Sequence, residues 1–206
     1  MNRKIKALGL ALVAALALTA VMASAASANF TSTEAHTNLF GSQVEHHRFT
    51  AGTGIGAFTC KKVTFTGTGT STSEPTRKVK PVYAECSDSL GRIVHVNTGT
   101  AEYEFTSTEG KGLFHIVGGN ITFTVTGSTH CTITITSGAT NKNKNKVAYT
   151  QEGPKLKTTT STDNIHSHIA GGGFACGTVA TTSATGTYIG TTLMEGNGGK
   201  ATISVH

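Results

Sequence analysis

An antiparallel all-β fold, a β-sandwich or barrel-like single domain, follows from three features of the 206-residue sequence. Beyond residue 28, apolar and hydroxyl side chains alternate with a period of two, as in Ile121, Phe123 and Val125 against Thr122, Thr124 and Thr126. That period turns one face of an extended strand toward a core and the other toward water. Turn-forming clusters punctuate the alternation at the close spacing of an all-β domain, and no useful length of chain after residue 28 carries a helical period.

The first 28 residues stand apart. A basic start (Arg3, Lys4, Lys6) runs into an apolar stretch and ends on the small residues Ala26-Ser27-Ala28, the pattern of a cleaved export signal. The expected cut precedes Asn29, and Ala23-Ser24-Ala25 offers a second position after Ala25. The apolar run, about 15 residues, falls short of the roughly 20 that a bilayer-crossing helix needs. The expected organisation is therefore a signal over 1–28 and a secreted all-β domain over 29–206. No second apolar run follows, so no stable membrane insertion is expected after cleavage.

Strands are expected where the alternation is clearest. Val63 and Phe65 stand against Thr64 and Thr66, and Ile133 and Ile135 against Thr132, Thr134 and Thr136. Shorter alternation marks 101–105, 147–149 and 201–205. Turns fall at 107–112, 118–120, 137–138 and 196–199, each rich in Gly, Ser or Asn. The alternating Asn and Lys of 141–146 read as a solvated hairpin tip, and Pro154 with the Thr-rich 158–162 run as another exposed connection. Gly171-Gly172-Gly173 reads as a flexible turn before Phe174 and Cys176.

Four cysteines in an exported chain make two disulfides, with three connectivities open. The sequential one pairs Cys60 with Cys86 and Cys131 with Cys176, contributing roughly 3.5 and 4 kcal/mol in the chain-entropy model. Such staples matter in a chain with 6% aromatic residues and no Trp. A zinc cluster would use the close C-x-x-C spacing that this chain lacks. Cys131 shares its face with Ile133 and Ile135 and should point inward; Cys86 should too if Val82 and Ala84 define the buried face. Cys60 shares parity with Phe58 on one side and Lys62 on the other, a conflict that a bulge at Lys61-Lys62 would resolve.

Without the signal, 14 Lys and Arg stand against 11 Asp and Glu, a net charge of +3. The basic residues are scattered, without the dense cationic face and interleaved aromatics of a nucleic-acid binder. Thirty-seven threonines after residue 28 suit outer strand faces, because the branched Cβ prefers extended backbone and the hydroxyl tolerates solvent. A ladder matching ice or a polysaccharide would need a fixed internal period, which is missing.

Histidine supplies the only candidate chemistry. His166 and His168 alternate on one strand face, opposite Ile165, Ser167 and Ile169, so both imidazoles could turn toward one metal. His46 and His47, beside Glu45, would point to opposite faces of a strand, so only one, with His46 the candidate, could join them. No carboxylate pair, G-x-S-x-G elbow, H-E-x-x-H helix or phosphate-cradling glycine loop marks a catalytic centre, and no cofactor is expected. Asn29-Phe30-Thr31 and Asn120-Ile121-Thr122 match the glycosylation sequon, a short and common motif.

Taken in order, Phe58-Thr59-Cys60, Val63-Thr64-Phe65, Thr66-Gly67, Pro81-Val82-Tyr83 before Cys86, Tyr103-Glu104-Phe105, Cys131-Thr132-Ile133, Val147-Ala148-Tyr149-Thr150 and Gly186-Thr187-Tyr188-Ile189-Gly190 resemble a group of actinobacterial secreted proteins of unassigned function. The resemblance covers most of the chain and implies export and β architecture, with no activity to carry over. That group often has a further cysteine pair near the positions held here by 97–99 and 117–119. This chain has no cysteine in either segment, as loss of one whole disulfide would leave it.

Two classes of function remain. One is a noncatalytic extracellular or envelope-associated β module that binds a surface polymer or a protein. The other is a metal-binding protein or metal-assisted enzyme built on His166, His168 and a partner from 45–47.

Overall fold

The computed structural model describes residues 28–52, 56–108, 111–127, 131–137, 146–171, 176 and 181–206. The export signal, most of the 141–146 tip and the Gly172-Gly173 part of the glycine tract lie outside them. Fourteen strands follow one another: β1 (Phe30–Ser32), β2 (Asn38–Thr50), β3 (Ala57–Thr68), β4 (Ser73–Glu74), β5 (Thr76–Asp88), β6 (Ile93–Asn97), β7 (Glu102–Thr108), β8 (Lys111–Val117), β9 (Ile121–Val125), β10 (Cys131–Ile135), β11 (Lys146–Glu152), β12 (Lys155–Gly171), β13 (Thr181–Gly196) and β14 (Ile203–Val205). The one helical turn among the described residues is a 3-10 turn at Asn197–Gly199, where a glycine-rich turn is expected.

Eleven strands close into an eight-staved antiparallel barrel, and the pairing decides between sandwich and barrel. β2, β3, β5, β12 and β13 are unbroken staves, while β6 with β7, β8 with β9, and β10 with β11 each make one stave in two pieces. β6 and β7 both pair with β5, at Cys86–Ser87 and at Thr76–Val79 respectively. β10 and β11 both pair with β12, at Ser167–Gly171 and at Lys155–Ser161. β13 then pairs with β2 and closes the ring. Each stave therefore lies beside its sequence neighbours, an up-and-down meander whose closure removes the exposed sheet edges.

The breaks in the two-piece staves pack together. The Thr100 hydroxyl donates to the Gly118 carbonyl at 2.6 Å, and a Cβ on Gly119 would lie 2.6 Å from the Thr100 hydroxyl. Segments 97–100 and 117–119 are thus spatial neighbours. At the end of the barrel where β2 begins, β1, β4 and β14 form a three-stranded cap, and Phe30 and Ile203 on it are buried. This capped end is called the lower one. The upper end carries both disulfides, Cys60–Cys86 between directly opposed residues of β3 and β5, and Cys131–Cys176. The pairing is the sequential one, and two disulfides fit an oxidising, extracellular compartment.

Alternation generates the core as expected at Val63 and Phe65, at Ile121, Phe123 and Val125, and at Cys131, Ile133 and Ile135, all buried. The outer wall carries mainly Thr, Lys, Glu and His, with Phe40, Val44, Val82 and Ile189 exposed among them. No helix among the described residues is long and apolar enough to cross a membrane.

Two expectations are corrected. Val82 and Ala84 do not define the buried face of β5: Val82 is 51% exposed, and Val79, Pro81 and Tyr83 face inward. Cys86 still points in, because Ala84 and Glu85 are both exposed and Glu85 adopts a positive φ of 54°, which resets the parity. Lys61 and Lys62 do the same on β3, as the conflict at Cys60 required, and since both strands switch at one rung their register is unbroken. The second correction concerns 158–162, which is no exposed connection. It lies in the middle of β12, with Thr158, Thr160 and Thr162 facing the interior. Those Thr side chains are therefore not outer-face residues.

The other long staves also change register or facing near their middles: β2 between Ser42 and His47, β12 between Thr162 and Ile165, and β13 between Ile189 and Thr192. On β12 the switch places Asn164 at φ 56°, a conformation Asn tolerates well. Bulges bend and twist a strand, and a belt of them curves these long staves around the barrel.

Candidate functional site

Inside the belt, four aromatic residues from four staves form one hydrogen-bonded chain. The Tyr83 hydroxyl donates to that of Tyr188 at 3.2 Å, and Tyr103 and Tyr83 hydroxyls are bonded to each other. Since the single Tyr83 proton goes to Tyr188, Tyr103 must be the donor to Tyr83. Tyr188 in turn donates to His47 Nδ1 at 2.6 Å, which leaves the imidazole proton on Nε2, 3.3 Å from the Thr191 carbonyl. Every donor has an acceptor, so the chain is neutral and complete.

Burial decides its protonation. It removes water from the His47 ring and lowers the pKa from 6.5 to about 4, outweighing the bond to the Thr191 carbonyl. Burial likewise holds Tyr83, Tyr103 and Tyr188 above the ordinary tyrosine range. The His47 ring fits because position 190 is glycine: a Cβ there would lie 2.6 Å from Nδ1. Among the described residues no carboxylate or cation bonds to this chain directly; Glu45 accepts from the Thr191 hydroxyl at 3.2 Å. The arrangement pins four staves together and presents no group to a substrate.

The chain divides the interior in two. Above it, the rings of Phe49 and Phe123 stack at 4.9 Å and Phe58 lies 5.7 Å from Phe123, leaving a cavity of about 20 Å³. Below it, an apolar cavity of about 30 Å³ lies between the tyrosines and the cap, with Thr158, Thr160 and Arg77 on its wall. Each has room for a water or two, and neither for a substrate. Eight staves give an interior that side chains can fill, and here they fill it.

His166 and His168 share one strand face, and His46 stands apart from them. His166 and His168 lie on the outer face of β12, both exposed, with Ile165, Ser167 and Ile169 facing in as the alternation requires. His46 is on the outer face of β2, across the intervening stave β13. His166 is level with Thr185 of β13, whereas the neighbouring Glu45 of β2 is level with Thr191, six residues further along β13. At about 3.3 Å per residue in a strand, that separation is far beyond shared coordination. Among the described residues no three His, Cys, Asp or Glu side chains converge as metal ligands.

The open space is outside. A groove of about 600 Å³ runs along the outer wall at the lower end, lined by Thr66, Thr68, Thr70, Thr76, Glu74, Lys78 and Glu102. Glu74 is committed to holding its floor. It accepts from the Thr70 amide at 2.6 Å, the Thr70 hydroxyl at 2.5 Å and the Ser71 amide at 2.9 Å, and pairs with Arg77. Burial opposes ionisation of Glu74, but the Thr70 bonds, the Arg77 charge and the Ser71 amide prevail and hold its carboxyl below the usual range. Lys78 pairs with Glu104 at 3.4 Å. Beside the groove, Phe40 of β2 stands directly opposite Thr66 of β3 and is 44% exposed.

No family model, curated protein or solved structure matches the chain.

Neither the interior chain nor the groove was visible in the sequence. In the sequence His47 reads only as a possible metal ligand beside His46, and Tyr83, Tyr103 and Tyr188 are separated by 20 and 85 residues. Three of the groove's four threonines, Thr66, Thr68 and Thr70, sit in a run that alternates with Phe65, Gly67 and Gly69, which marks a strand and nothing more.

Proposed function

We propose that this chain is a secreted, noncatalytic β-barrel module that works by binding, through its outer wall, a polymer or protein of the cell envelope. The observation that carries the reading is the contrast between inside and outside. His47, Tyr83, Tyr103 and Tyr188 are bonded to one another and closed off inside, while the open groove and the Thr, Lys and Glu side chains face outward. Export is supported by the signal pattern over 1–28 and by the paired cysteines. The ordered motifs that resemble actinobacterial secreted proteins support an envelope of that kind as the place of action.

The test is co-sedimentation of the oxidised barrel with purified envelope material from its source, across a salt series. Loose cationic attraction is screened away within about 3 Å at 1 M salt, so retention there marks a specific ligand. Failure to pellet at any salt removes the envelope from the reading. Among the described residues no third metal ligand stands beside His166 and His168, so no observation favours the metal reading over this one.

A further inference from the structure

We propose that the outer groove beside β3 and β5 binds a neutral glycan segment, with Phe40 as its stacking platform. This rests on the envelope reading above and names the ligand class. At about 600 Å³ the groove is of the size that accommodates a small-molecule-sized ligand, and its openness along the wall suits a segment of a longer chain.

Its chemistry matches a sugar on three counts. Thr66, Thr68 and Thr76 line it with hydroxyls able to donate and to accept, as sugar hydroxyls do, and Thr70, whose proton goes to Glu74, adds an acceptor. Lys78 adds a donor and Glu102 an acceptor, opposite charges that favour a neutral ligand over a polyanion. Phe40, opposite Thr66 in register, offers the apolar ring face onto which the C–H face of a pyranose packs. The floor is set before any ligand arrives: Glu74 ties down residues 70 and 71 from beneath, and Gly67 lies so close to β5 that a Cβ would meet the Lys78 carbonyl at 2.3 Å. A preset groove loses little freedom on binding.

The experiment titrates neutral tetrasaccharides of glucose, mannose and N-acetylglucosamine into isotope-labelled barrel and follows backbone amide resonances. Saturable shifts at Thr66, Thr68 and Thr70 with at least one of them are expected, weakened about tenfold by Phe40→Ala and unchanged by Ile189→Ala, an exposed apolar control on β13. Saturation elsewhere on the barrel, or none with any of the three at millimolar concentration, overturns the site. Phe40 is outside the core, so its variant keeps the fold. Pelleting tells the two failures apart. Wild type and Phe40→Ala that pellet alike leave the envelope reading standing and remove this site; wild type that never pellets removes the envelope reading, and the saccharide titration still decides the groove.

Discussion

At the upper end of the barrel, two disulfides tie β3 to β5 and β10 to Cys176, and three phenylalanine rings stack between the staves. At the lower end the described residues contain no disulfide, the mouth is covered by three short strands, and threonines and an arginine share the wall with apolar side chains. The same eight staves run through both ends. What differs is how each end is closed: covalently and with rings above, by a few backbone hydrogen bonds and two apolar plugs below. A covalent staple acts on the whole unfolded chain, whereas a hydrogen-bonded cap opens by itself. The barrel should therefore loosen from the bottom.

Truncating one ring at each end tests that difference most strongly. Phe58→Ala removes a fully buried ring from the upper stack and is expected to cost about 4 kcal/mol of global stability. Phe30→Ala removes an equally buried ring from the cap, but its cost to the barrel is limited to the docking of the cap, about half as much. Denaturant titration measures both. Hydrogen exchange distinguishes them: in Phe30→Ala the amides of Ser32 and Asn29 should exchange rapidly while those of β3 stay protected. Equal global losses would mean that the cap and barrel unfold as one unit.

The junction between the ends has its own signature in acid. Unfolded, His47 takes up a proton near pH 6.5; folded, it resists until about pH 4. Between those values the unfolded chain binds more protons, so stability is full above about pH 6.5, falls as pH drops toward 4, and is constant in this respect below it. The expected loss is about 3 kcal/mol across the window. His47→Gln keeps an acceptor for Tyr188 and a donor for the Thr191 carbonyl but does not titrate, so its stability should lack this fall and keep only the loss that Glu74 and Asp88 bring at the acid end. A wild-type curve that coincides with the variant's would show that the imidazole charges without strain.

How much of this could be read from residues alone follows from the same contrast. The upper wall was legible because its alternation is clean: Ile121 to Val125 and Cys131 to Ile135 have an apolar residue at each inward position. β2 was not, since its inward positions are Leu39, Gly41, His47 and Phe49, with a register shift in between. Gly41 is there to admit Met194, whose sulfur would lie 2.3 Å from a Cβ, a requirement set by a residue 153 positions away. β12 misled for the opposite reason. Its Thr158-Thr159-Thr160 run has no polarity contrast, so the period-two signal vanishes although the strand is regular. The interior chain was beyond reach because only closure of the ring brings Tyr83, Tyr103, Tyr188 and His47 together.

The smallest effect concerns Thr162, which faces the interior at the level of Tyr188 on the neighbouring stave. It is 0% exposed and its hydroxyl has no protein partner. A buried hydroxyl without a bond costs its lost hydration, so an isosteric methyl in its place should be harmless or beneficial. Thr162→Val is expected to leave stability unchanged or to raise it by about 1 kcal/mol. A loss of stability by denaturant titration would mean that the hydroxyl is bonded after all, through a buried water, and that this water is part of the fold.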